Sequence, residues 1–169
     1  MLYFFFGVIH VTAQNKRFVN TYLSGHVNKM IYDQFSGFTS TGFGASIQLQ
    51  LNAKHKLKPQ IDITGNLFSI NKILFIFPDG TKAGPKQSVA TIFAGLVYEP
   101  VSRLETGFSA GPAFYDDGTG IGIKPYIAYY MGKKKIVKSQ ISFTHIYLNN
   151  DFYTKNTGII SAGIALKLF

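Results

Sequence analysis

The chain contains no cysteine and no tryptophan, and it has only 8 acidic residues against 17 basic ones. Without cysteine there is neither a disulfide framework nor a thiolate metal site to consider. No stretch reaches the roughly 18 to 20 consecutive apolar residues that a membrane-spanning helix needs. The glutamates are only two, Glu99 and Glu105. No phosphate-cradling glycine loop, nucleophile elbow or heptad repeat is present. The four histidines are scattered: His26 falls near a strand end and His55 in a basic turn, with no metal-ligand spacing. Asp116-Asp117-Gly118-Thr119-Gly120 lacks the further alternating acidic ligands and closing glutamate of a calcium loop, and reads as a plain turn. No cofactor is implied.

What the chain does have is 16 phenylalanines, 10 tyrosines and 17 glycines within 169 residues, a length for one domain. Its formal net charge is +9, with no dense basic run beyond Lys133, Lys134 and Lys135. Aromatics at strand period with no accompanying recognition motif argue against a nucleic-acid partner. A basic surface suits anionic lipid head groups, including lipopolysaccharide phosphates.

The dominant signal is alternation. In Thr41–Ala53 the residues Phe43, Ala45, Ile47, Leu49 and Leu51 share one face, while Gly44, Ser46, Gln48, Gln50 and Asn52 share the other. The same pattern recurs in Pro59–Ile70, with Ile61, Ile63 and Leu67 opposite Gln60, Asp62, Thr64 and Asn66. In Arg103–Tyr115 it sets Leu104, Phe108, Ala110 and Phe114 against Glu105, Gly107, Ser109 and Gly111. In Ile121–Met131 it sets Ile121, Ile123, Ile127 and Tyr129 against Gly122, Lys124, Tyr126 and Tyr130. Together with Arg17–Val27, Ser88–Tyr98, Ile136–Leu148 and Gly158–Phe169 this predicts eight strands. Each is of the length that a tilted strand needs to cross a bilayer.

The expected connections are short after the second, fourth and sixth strands, with Glu99-Pro100-Val101-Ser102 a tight turn. They are longer after the first, third and seventh (Asn149 to Thr157), and short again between the fifth and sixth. Even strand number, with short turns at one end and longer loops at the other, is the pattern of outer-membrane barrels. It places both termini on the periplasmic side. The predicted fold class is therefore all-β, an eight-stranded antiparallel up-and-down transmembrane β-barrel. Within the third connection, the apolar Ile73–Phe77 is expected to extend the flanking strands, the alternative being an exposed hydrophobic patch that binds a partner.

Alternation alone does not say which face is inside. Bulky polar groups accompanied by glycines favour a polar lumen, and Tyr22, Tyr98, Tyr126, Tyr129, Tyr130 and Tyr147 near strand ends suit interface girdles, with Tyr126 open to a lumenal place. An eight-stranded lumen is narrow enough to be filled by side chains. Asp62 and Glu105 are then expected to pair with lumenal cations from among Arg103, Lys124, Lys138 and Lys167, because a buried charge is costly unless paired. A soluble lipocalin-like ligand-binding barrel is the opposite reading; it requires Ile47, Leu49 and Ile127 inside.

At the start, the apolar Leu2–Val11 followed by Thr12-Ala13-Gln14 reads as a signal peptide over residues 1–13, without a basic n-region, ahead of a barrel domain at 14–169. The alternative is a buried first strand. Thr12-Ala13-Gln14, the segment Gly122 to Pro125 and the ending Gly163 to Phe169 carry a resemblance. On them the chain resembles the small outer-membrane β-barrel proteins of Gram-negative bacteria, in particular uncharacterised barrels of the Bacteroidetes type. The resemblance implies insertion by the barrel-assembly machinery through the terminal Phe169, although Leu168, Leu166, Ile164 and Ala162 stand one residue out of the usual phase. It implies an envelope protein with a structural or surface-interaction role.

Some small barrels of this kind act on lipid A as acylases or deacylases. Such a hydrolase needs a serine, a histidine base and an orienting acid. The candidate histidine is His145, but Ser142 lies three residues back and so faces the other way on a strand, while Asp151 falls in a connection. No catalytic set is therefore assigned.

Overall fold

The computed structural model describes residues 18–33, 40–52, 56–69, 75–76, 82–83, 86–115, 118–132, 134–150 and 153–168. The expected signal peptide and Phe169 lie outside them. The strands are β1 (Val19–Asp33), β2 (Thr41–Leu51), β3 (Leu57–Ser69), β4 (Phe75–Ile76), β5 (Lys82–Ala83), β6 (Lys86–Val101), β7 (Leu104–Tyr115), β8 (Gly118–Met131), β9 (Val137–Asn150) and β10 (Tyr153–Lys167).

Eight of them close into a barrel in the order β1-β10-β9-β8-β7-β6-β3-β2, with β2 returning to β1. Every neighbouring pair is antiparallel. Closure removes the sheet edges, so each strand finds a backbone partner on both sides. The predicted fold class is the observed one. Both β1 and β10 have their outer ends at one rim, the terminal rim; the other is the distal rim.

The alternation places the faces. All eight barrel strands expose large apolar side chains on the outer wall; Phe43 is 75% exposed, Ile121 69%, Leu67 66% and Ile141 58%. Ile47 and Ile127 are also on the outer wall, exposed by 44% and 47%. The lipocalin-like reading needs them inside and is therefore corrected. Polar side chains fill the inward positions, among them Gln48, Gln50, Asp62, Glu105, Lys124 and Lys138.

Three sequence expectations are revised. Within Ile73–Phe77, the described Phe75–Ile76 does not join the barrel sheet but pairs with Lys82–Ala83 in a separate two-stranded ribbon. The connection expected to be long after the seventh strand is two residues, because Asn150 already pairs with Tyr153. Backbone pairing there overrides the polar composition that reads as a loop. Of the expected girdle tyrosines, Tyr98, Tyr129 and Tyr147 are on the outer wall, but Tyr22 and Tyr130 are buried in the lumen, as is Tyr126, for which a lumenal place was left open. Strand parity sends them inward, and polar partners there accept their hydroxyls.

Local irregularities adjust the cylinder. A register shift between Met30 and Tyr32 turns Tyr32 to the outer wall while Met30 stays inside. Tyr32 then lies across Gly158, where an added Cβ would collide with its ring. The turn from β8 to β9 passes through Gly132 at φ 84°, a conformation that suits glycine.

Candidate functional site

The lumen is layered. Nearest the distal rim, Met30, Phe68, Val89, Ala113, Tyr115, Ile146 and Ile159 form an apolar cluster. It arises where inward positions of six strands carry apolar rather than polar residues.

Below it, β3 presents Asp62 and β8 presents Lys124. The Lys124 ammonium donates to both Asp62 oxygens at 3.1 Å and to Thr64 Oγ1 at 3.1 Å. Thr64 donates to Asp62 Oδ1 at 2.5 Å, and Gln48 Nε2 to Oδ2 at 2.9 Å. Gln48 also donates to Gln140 Oε1 at 3.1 Å, tying β2 to β9 across the lumen. On the distal side of this pair, His26 Nε2 and Asn28 Nδ2 both reach Asn66 Oδ1, at 2.9 and 2.8 Å. Ser24, Ser46, Ser142, Ser161, Gln140 and His26 surround a cavity with room for about one water molecule.

Nearer the terminal rim, β7 presents Glu105. Its Oε1 accepts from Lys138 Nζ at 2.5 Å, Tyr126 OH at 3.0 Å and Gln50 Nε2 at 3.2 Å. Its Oε2 accepts from the Tyr130 hydroxyl. Lys138 in turn lies 4.2 Å from the centre of the Tyr22 ring and 5.8 Å from those of Tyr126 and Tyr130. An ammonium held by one carboxylate and three aromatic faces exchanges hydration for hydrogen bonding and cation–π attraction. Tyr126 needs Gly107 opposite it, since an added Cβ there would strike the Tyr126 ring. Glycines among the polar residues thus make room for large ones.

At the terminal rim, Glu99 accepts from Lys58 at 2.6 Å and from Lys135 at 2.8 Å. Lys58 belongs to the adjacent β3. Lys135 comes from the turn between β8 and β9, so its bond spans β7, and its ammonium sits 5.1 Å from the centre of the Tyr130 ring.

Of the six residues expected in a lumenal ion network, the structure brings Asp62 together with Lys124 and Glu105 together with Lys138. Arg103 is elsewhere: it lies in the turn between β6 and β7, exposed, with Nη1 3.5 Å from the outward Tyr129 hydroxyl. Its expectation is corrected because β7 begins only at Leu104, so strand parity does not reach it. Lys167 has inward parity with Ala165 but sits half-buried at the terminal end of β10. Sequence reading missed the tyrosines as partners of Glu105. Their shared parity with Lys124 on β8 was the available signal.

The lipid-hydrolase candidates do not meet. Ser142 is buried in the lumen, while His145 is on the outer wall with Nδ1 2.6 Å from the Tyr32 hydroxyl. Asp151 lies outside the described residues.

No protein-family model matches this sequence, and neither does any curated protein sequence. Solved structures do match. Neisserial surface protein A aligns over 88% of this chain and 97% of its own, at 15% identity and a TM-score of 0.56. Ail, the attachment invasion locus protein of Yersinia pestis, aligns over 89% of this chain and all of its own (100%), at 10% identity and a TM-score of 0.55. The outer membrane protein OprG of Pseudomonas aeruginosa aligns over 91% and 97%, at 9% identity and a TM-score of 0.50. The fold is that of the small outer-membrane β-barrel proteins. At these identities the likeness is one of architecture, spanning nearly the whole of each neighbour.

Proposed function

We propose that the protein is an integral outer-membrane barrel whose lumen is closed by its own side chains, with a structural or surface-interaction role in the Gram-negative envelope. The observation that carries this reading is the inverted distribution of side chains: large apolar residues cover the outer wall on all eight barrel strands, and the charges inside are paired. An apolar outer surface of that extent is unfavourable in water and favourable against hydrocarbon. Paired buried charges and an apolar distal layer support a closed lumen, so ion conduction is not expected.

The partners of this reading are outer-membrane lipid, including lipopolysaccharide, and the barrel-assembly machinery, with Phe169 as the terminal assembly signal and residues 1–13 as the export signal. The test is fractionation of cells expressing the full chain, followed by gel electrophoresis of the detergent-extracted protein boiled and unboiled. The expected result is recovery in the outer-membrane fraction and a boiling-dependent shift in migration. Recovery as soluble protein without a shift would overturn the reading.

A further inference from the structure

The barrel separates its charge by rim. Inside, Asp62 and Glu105 balance Lys124 and Lys138. By chain order alone, the stretches 29–40, 70–86, 116–117 and 151–155, which join strands at their distal ends, carry Lys29, Lys72, Lys82, Lys86 and Lys155 against Asp33, Asp79, Asp116, Asp117 and Asp151, which cancel in the sequence. The excess positive charge of the sequence therefore falls in the segments that lead to or join strands at their terminal ends. Among the described residues there, Lys56, Lys58, Arg103, Lys134, Lys135 and Lys167 face a single acid, Glu99. Lys54 and Lys133 fall in the same short connections of the sequence, and Lys16 and Arg17 precede β1 in the chain.

Glu99 is shared between Lys58 and Lys135. Lys56, Arg103 and Lys134 are exposed, each in a different tight connection, so they are spread around the rim. A second observation fixes their level. Tyr98 and Tyr129 are exposed on the outer wall next to this rim, as interfacial tyrosines are, and Arg103 reaches the Tyr129 hydroxyl. These exposed cations thus lie just beyond an aromatic belt, where lipid head groups begin.

We propose that the terminal rim is a binding surface for anionic phospholipid head groups of the leaflet it meets, with Lys56, Arg103 and Lys134 as the contacting cations. The inference rests on the membrane reading above and adds a lipid class and a rim to it. With the termini on the periplasmic side, that leaflet is the phospholipid one, so the basic charge of the chain serves phosphatidylglycerol-type lipid rather than lipopolysaccharide.

The experiment uses the full barrel in zwitterionic micelles, titrated with short-chain phosphatidylglycerol or phosphatidylcholine while backbone amide shifts are followed. Phosphatidylglycerol is expected to move the amides of Lys56, Arg103 and Lys134 at a concentration lower by about tenfold or more, a preference that added salt weakens. The triple variant K56Q/R103Q/K134Q is expected to lose that preference while keeping its boiling-dependent gel shift. Equal titration by the two lipids in the wild-type protein, or shifts centred on the distal rim around Lys29, would overturn the proposal. So would a response to a soluble anionic polysaccharide with none to phosphatidylglycerol. Loss of the gel shift in the wild-type barrel would instead count against the membrane reading itself.

Discussion

Glu105 and Lys138 show what a single residue contributes here. Both are fully buried, and each is surrounded by groups that replace the water it lost: four donors around the carboxylate, a carboxylate and three aromatic rings around the ammonium. Removing one partner strands the other as an uncompensated charge, whereas replacing both with apolar groups of similar volume does not. K138M is therefore expected to destabilise the barrel by about 3–5 kcal/mol. The double variant E105Q/K138M should recover most of that loss. Urea unfolding followed by tyrosine fluorescence in detergent reads both. A double variant as unstable as K138M would show that packing of the lysine stem, and not the charge, dominates.

Strand pairing sets the requirements one level up. Gly95 on β6 stands against β7 so closely that an added Cβ would meet the backbone of Phe108 and Ser109 rather than a movable side-chain end. G95A is expected to push β6 from β7 and to cost about 1–3 kcal/mol in the same unfolding assay. The outer face of a strand has a different rule. Ile47, near the middle of β2, meets lipid in the proposed setting, and I47K should cost about 2–4 kcal/mol in bilayers, much more than I47A. Similar tolerance of lysine and alanine at this position in reconstituted vesicles would remove the bilayer from the account. Gly158 permits the contact between Tyr32 and His145 across β10; G158A should break it and leave the barrel closed, as seen from the His145 ring resonances.

For the molecule as a whole, the layers act in series. An apolar cluster, a polar layer with Asp62 and Lys124, an aromatic cage around Lys138 and a Glu99 bridge at the mouth succeed one another along the axis. In the proposed closed lumen, an ion would have to shed hydration at the apolar, Asp62–Lys124 and Lys138 layers. Planar-bilayer recording is expected to show no steady conductance for the wild-type barrel, and E99Q should not create one, since the inner layers remain. Regular single-channel steps in the wild-type protein would contradict the closed lumen.

The alternation from Thr41 onward carried the strand count, the antiparallel order and the assignment of Asp62, Glu105, Lys124 and Lys138 to one face, because side-chain direction in a strand follows residue parity. Parity is a local property, so it was legible without a structure. Where parity was not followed through, the reading failed: Tyr22 and Tyr130 looked like girdle residues from their places near strand ends, although parity already set Tyr130 beside Lys124, and Arg103 looked lumenal from a strand start one residue too early. The partners could be narrowed to four cations, but not which of them meets which carboxylate. Lys138 on β9 meets Glu105 on β7, and Lys124 on β8 meets Asp62 on β3, across a lumen between strands that are not neighbours in the sheet. Which inward residues share a level depends on the register of all eight strands at closure, and that is decided only by the tertiary structure.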